Sequence, residues 1–71
     1  MKYIVIEIQK LANGTVAIPA PVTYNTHLEA LAAYHTILAA AAVSSVPVHS
    51  AVILTETGQQ IAMETYDKTS T

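Results

Sequence analysis

Between Lys2 and Lys10 the chain alternates without a slip. Ile4, Ile6 and Ile8 share one parity, and Tyr3, Val5, Glu7 and Gln9 share the other. Period-two alternation of β-branched residues predicts a strand. Asn13-Gly14 then signals a hairpin. A two-residue loop there would set polar Gln9 opposite Ile18. A three-residue loop, Ala12-Asn13-Gly14 with Gly14 left-handed in a bulge, sets Ile8 opposite Ile18, Ile6 opposite Ala20 and Ile4 opposite Val22. The second register keeps apolar positions together and is the expected one. The returning strand, Thr15 to Val22, carries Pro19 and Pro21 on the parity opposite to Val16, Ile18, Ala20 and Val22. Proline has no N–H to give a ladder, so this strand belongs at a sheet edge.

Thr26-His27-Leu28-Glu29 has the form of a capping box and opens a helix that runs to about Val43. On a helical wheel Leu28, Leu31, Tyr34, His35, Leu38, Ala41 and Ala42 fall on one stripe, which should cover the sheet. The opposite stripe, Glu29, Ala33, Thr36 and Ala40 with Ile37 and Val43 on its flanks, is small and weakly polar. Either it lets a second backbone approach, or its alanines are there as strong helix formers. The helix must stop before Pro47, and Ser44 and Ser45 can satisfy the turn locally. Val48 to Thr55 reads as a central strand, because Val52-Ile53-Leu54 shows no alternation. Thr57-Gly58 turns the chain, Gln59 to Tyr66 returns as a strand, and Asp67 to Thr71 reads as a polar, frayed tail.

The expected fold is α+β, a single domain over residues 1–71 with the order ββαββ. It comprises a four-stranded, antiparallel-rich sheet with one helix packed on one face. With the Ile4, Ile6, Ile8 side under the helix, the other face would show Tyr3, Val5, His49, Ala51, Ile53 and Tyr66. That set is too apolar for water, so a homo-oligomer is expected. Composition points the same way: 52% hydrophobic and 11% charged residues, with a mean hydropathy of +0.40. A chain of 71 residues without cysteine has a small core and no disulfide to reinforce it.

Several classes fall away. The apolar window Leu28–Val43 is broken by Glu29, His35 and Thr36 and is short for a bilayer span. Met1 to Glu7 lacks the apolar core of a signal peptide, so a cytoplasmic location is expected. A net charge of −2, with three basic residues, speaks against DNA or RNA. It leaves room for one small nucleotide held by backbone amides and helix N-termini. No catalytic template is met, and His27 and His35 stand about 12 Å apart along a helix, too far to share a metal. No catalytic residue, metal or cofactor is therefore expected.

Candidate chemistry gathers at the helix-to-strand junction. His49 stands near Ser44, Ser45 and Ser50. Serines there either satisfy their own turn or offer donors to a ligand. Tyr3, Tyr24, Tyr34 and Tyr66 are the only aromatic residues. They can stack on a base or simply close the sheet. The candidate ligand site is Tyr34, His35, Ser44, Ser45, His49, Ser50, Tyr3 and Tyr66.

The run Tyr34-His35-Thr36-Ile37-Leu38-Ala39-Ala40-Ala41-Ala42-Val43-Ser44-Ser45-Val46-Pro47-Val48-His49-Ser50-Ala51-Val52 carries a resemblance. Val5-Ile6-Glu7-Ile8-Gln9 precedes it and Leu54-Thr55-Glu56 follows it. Together they resemble a family of short proteins from phages and Gram-positive bacterial genomes. In size and apolar build that family is similar to viral sponge proteins, including the Sequestin-type inhibitors of Thoeris defence. The resemblance implies a phage anti-defence protein in the host cytoplasm. It would sequester a nucleotide-derived immune signal, a cyclic or conjugated ADP-ribose, in pockets between subunits and without catalysis. The alternative is a protein–protein interaction module that docks on and inhibits a host protein. A phosphodiesterase using His49 ranks last, because no acid or nucleophile neighbours that residue in sequence.

Overall fold

Two hairpin turns of one design set the register of the sheet. In the first, Leu11 N–H donates to the Thr15 carbonyl at 2.8 Å and Gly14 N–H to the Leu11 carbonyl at 2.9 Å. In the second, Thr55 N–H donates to the Gln59 carbonyl at 2.8 Å and Gly58 N–H to the Thr55 carbonyl at 2.9 Å. Each three-residue loop ends on a glycine at positive φ, 87° at Gly14 and 90° at Gly58, a conformation glycine adopts without penalty. Side chains reinforce both turns: Asn13 Oδ1 accepts from Thr15 N–H at 2.9 Å, and Thr55 Oγ1 from Gln59 N–H at 3.1 Å.

The structure, a computed structural model, describes residues 1–68. Its elements are β1 (Tyr3–Lys10), β2 (Val16–Ala17), β3 (Val22–Tyr24), α1 (His27–Val43), β4 (Val48–Thr55) and β5 (Gln60–Asp67). The fold is α+β, with one helix on a five-stranded sheet rather than the expected four strands. Strand order is β2-β1-β4-β5, β3 also pairs with β1, and every pairing is antiparallel. Since β3 and β4 both run against β1, they run parallel to each other, and α1 is the crossover between them.

The first hairpin begins in the expected register, with Gln9 opposite Ala17 and Lys10 opposite Val16. It does not keep it. Residues 18–21 leave the ladder, and β3 rejoins one residue out of step, with Val5 opposite Val22 and Ile4 opposite Thr23. Pro19 and Pro21 lie in the gap, where neither can donate to β1. A one-residue step exchanges the faces of a strand. Val22 and Tyr24 therefore lie on the side of Val5, not of Ile4.

The helix covers the face opposite to the one expected. Val5, Ala51 and Ile53 form the core with Ala30, Tyr34 and Leu38. Ile4, Ile6 and Ile8, with Val52 and Leu54 across from Ile6 and Ile4, occupy the open face. Both parities of β1 are apolar, so its alternation did not decide between them. Packing did: Ala51 and Ala62 are small, and they leave room over the covered face for the bulk of Tyr34 and Leu38.

The helix is rotated accordingly. Its buried residues are Ala30, Tyr34, Leu38 and Ala41, with Leu31, Ala33 and Ile37 partly covered. Leu28 is 76% exposed, and His35 and Ala42, expected on the sheet, face outward. A helix apolar on nearly every side has no stripe that sequence alone could single out. Its start is as expected: Thr26 Oγ1 accepts from Glu29 N–H at 3.2 Å, and the Thr26 hydroxyl donates to Glu29 Oε1 at 3.0 Å.

Its end is held from the far side of the sequence. Lys68 Nζ donates to the carbonyls of Ala41, at 2.9 Å, and of Ser44, while Lys68 N–H donates to the Pro47 carbonyl at 2.8 Å. A cation on the last carbonyls of a helix opposes the negative end of its dipole. Of the tail expected from Asp67 to Thr71, Asp67 ends β5 and Lys68 caps the helix, while Thr69, Ser70 and Thr71 lie outside the described residues. Among the described residues no helix is long and apolar enough to cross a membrane.

Among the described residues Ile53 is the one large side chain buried completely. Ile53→Ala is expected to remove about 2–5 kcal/mol, comparable with the whole stability of a domain this small. Urea denaturation followed by circular dichroism should show that variant largely unfolded in dilute buffer, and Leu28→Ala within about 0.5 kcal/mol of the parent.

Candidate functional site

The eight residues expected to form one site are dispersed. Tyr3 pairs with Thr55 at the end of β4, while His49, six residues earlier in that strand, pairs with Gln9, about 20 Å away at strand rise. The Tyr3 ring instead meets exposed His27 at a centroid distance of 5.4 Å. Ser50 lies opposite Ile8, on the open face of the sheet. Ser44 is the helix C-cap, and its Oγ accepts from Val46 N–H at 3.1 Å. Ser45 and His35 are exposed, His35 with its ring edge-on to Tyr34. Tyr3, Tyr34, His49 and Tyr66 stay on the covered side, Tyr3 at the end remote from His49.

Tyr66 is the cross-strand neighbour of His49. Burial first, then the charges of Glu64 and Tyr66, raise the pKa of the Tyr34 phenol above its usual 10.0. These groups mark the β5 flank of the helix.

The residues missed in the sequence are Glu7 and Gln9. His49 is 4% exposed, and its Nε2 is hydrogen-bonded to Glu7 Oε2. Gln9 Nε2 donates to the same oxygen at 2.9 Å. Register brings them together: Gln9 faces His49, Glu7 faces Ala51, and the diagonal from Glu7 to His49 is within side-chain reach. The only signal in the sequence was parity, since Glu7 and Gln9 share the parity of Tyr3 and Val5, on what proves to be the covered face. His49 Nδ1 is buried without a hydrogen-bond partner among the described residues. Buried polar atoms of this kind are uncommon and unfavourable.

Glu7 also reaches a cleft of about 430 Å³ between α1 and the β1–β3 edge. Val5, Val22, Ala33 and Ile37 give it apolar walls, Tyr24 and Thr36 add hydroxyls, and Pro19 and Ala20 form its rim. Glu7 is its one charged lining residue, and none of the eight expected residues takes part. The register step of β3 creates it, by turning Val22 and Tyr24 toward the helix. A second cleft, of about 450 Å³, lies between the first hairpin and the start of β4. Lys10, Leu11, Pro47, Val48 and Lys68 line it, which places two of the three lysines there. Among the described residues no group of three or more metal-ligating side chains occurs.

The Tyr34 phenol gives a pH-dependent contribution to folding. The folded state holds its proton more tightly than the unfolded chain, so that contribution is intact below pH 10.0 and is lost as pH rises through the folded-state value. Thermal melts across the alkaline range should show the parent losing stability above pH 10 more steeply than Tyr34→Phe, with parallel curves below it.

Compared with protein-family models, with curated proteins and with solved structures, the chain matches none of them.

Proposed function

We propose that this protein works without catalysis, as a homo-oligomer that captures a small nucleotide-derived molecule between its subunits. The observation that carries the reading is the open face of the sheet. Ile4, Ile6, Ile8, Val52, Leu54 and Met63 form its centre, and no element among the described residues covers them. Its charged strand residues, Lys10 and Asp67, share one end row, on either side of Val48. An apolar centre with a polar margin is the pattern of a subunit interface, and a second copy presents the same surface by symmetry.

Lys10 and Val48 belong both to that face and to the lysine-bearing cleft. A subunit seated on the open face would therefore roof the cleft and leave an ammonium group beside it, which suits a phosphate-bearing ligand. The absence of catalysis is supported by His49: it is almost fully buried, and among the described residues its hydrogen-bond partner is a carboxylate, not a nucleophile. The sharper form, a phage protein that withdraws cyclic or conjugated ADP-ribose from a host immune pathway, rests on the family resemblance of residues 34–52.

A second reading is a module that docks on a host protein. It is favoured by apolar side chains exposed on the helix as well, Leu28 at 76% and Val43 at 87%.

Sedimentation at micromolar concentration should give a dimer or larger, and Ile6→Glu or Val52→Lys should give a folded monomer. Isothermal titration of the parent with ADP-ribose and its cyclic forms should release heat, and Lys10→Ala should abolish it. A monomeric parent removes the oligomer, and no heat with any of these compounds removes the nucleotide. A stoichiometric host protein retained from lysate, with no bound small molecule, establishes the second reading instead.

A further inference from the structure

We propose that the cleft beside Glu7 is a separate binding site for a small molecule carrying a primary amine on a compact apolar body. The cleft shares no lining residue with the lysine-bearing one and lies on the helix side of the sheet, away from the open face. Assembly through that face leaves it accessible.

The charge and the shape both select the ligand. Val5, Val22, Ala33 and Ile37 surround a volume of about 430 Å³, within the range that holds a small organic molecule. The one ionisable lining group other than a tyrosine is a carboxylic acid, and no lysine lines the cleft. An anion such as a phosphate would meet Glu7 without compensation. An ammonium would form a charge-assisted hydrogen bond there, in surroundings that weaken its competition with water.

Glu7 is also pre-positioned. Both of its hydrogen bonds, from Gln9 and with His49, involve Oε2, and among the described residues Oε1 takes none. One oxygen is anchored to a histidine buried under the helix, and the other remains an acceptor. Anchoring of this sort reduces the conformational entropy lost on binding. The hydroxyls of Tyr24 and Thr36 in the lining supply acceptors for the remaining ammonium protons.

The test is a ¹⁵N-edited NMR titration of the full chain with 2-phenylethylamine, 2-phenylethanol and 3-phenylpropionate, which share a ring and differ in charge. The amine should shift the amides of Val5, Val22, Ala33 and Ile37 and bind at least about tenfold more tightly than the alcohol, near 1.4 kcal/mol. The carboxylate should not bind. Ala33→Leu, which fills the cleft and leaves Glu7 and His49 in place, should abolish the shifts. Glu7→Gln should remove the preference for amine over alcohol. Equal binding of amine and alcohol to the parent, shifts centred elsewhere, or amine binding unchanged in Ala33→Leu would overturn the proposal. If ADP-ribose binds and the amine does not, the nucleotide reading stands and this site fails alone.

Discussion

The contact between α1 and the paired strands β1 and β4 is what the rest of the molecule depends on. The core is Val5, Ala51 and Ile53 beneath Ala30, Tyr34 and Leu38, and among the described residues there is no second layer on the other side of the sheet. A single helix can be apolar toward only one sheet surface. Once it has settled on the Val5–Ile53 row, the rows of Ile4, Ile6 and Ile8 are left to find another partner. The small size of the core and the oligomer proposed for the chain are thus two sides of one constraint.

A polar pair sits at the margin of that contact. Glu7 and His49 share the covered face with the core residues; Glu7 Oε2 is hydrogen-bonded there to His49 Nε2 and to the Gln9 amide, while His49 Nδ1 has no partner among the described residues. An isolated charge at this position would be strongly unfavourable. Pairing makes it tolerable and fixes the carboxylate between a buried imidazole and an open cleft. The proline-bearing gap between β2 and β3 completes the arrangement. By shifting β3 one step it turns Val22 and Tyr24 to the helix side and gives the cleft its outer wall. One local irregularity thus protects the sheet edge and shapes a cavity.

The two clefts differ in sign. One is floored by a carboxylate and walled by the helix; the other holds Lys10 and Lys68 at the end of the open face. Lys68 directs its ammonium to the carbonyls that end the helix, and Lys10 projects from the open face beside the same cleft, so both keep it positive. The two proposed ligands, one phosphate-bearing and one amine-bearing, would sit on opposite sides of one sheet.

Much of the secondary structure was legible in the sequence because local rules govern it. The cap at Thr26, the three-residue turn through Asn13-Gly14, the helix end before Pro47 and the central position of Val48–Thr55 all follow from neighbours within a few residues. Which face the helix covers was not legible. Both parities of β1 and nearly all sides of α1 are apolar, so the choice rested on the fit of Ala51 and Ala62 against Tyr34 and Leu38, a property of three elements at once. The site was hidden for the same reason: Glu7 and His49 are 42 residues apart, and only strand register makes them neighbours. Periodicity along the chain determined the elements; side-chain volume, which acts between elements rather than within them, decided their faces and where a ligand could enter.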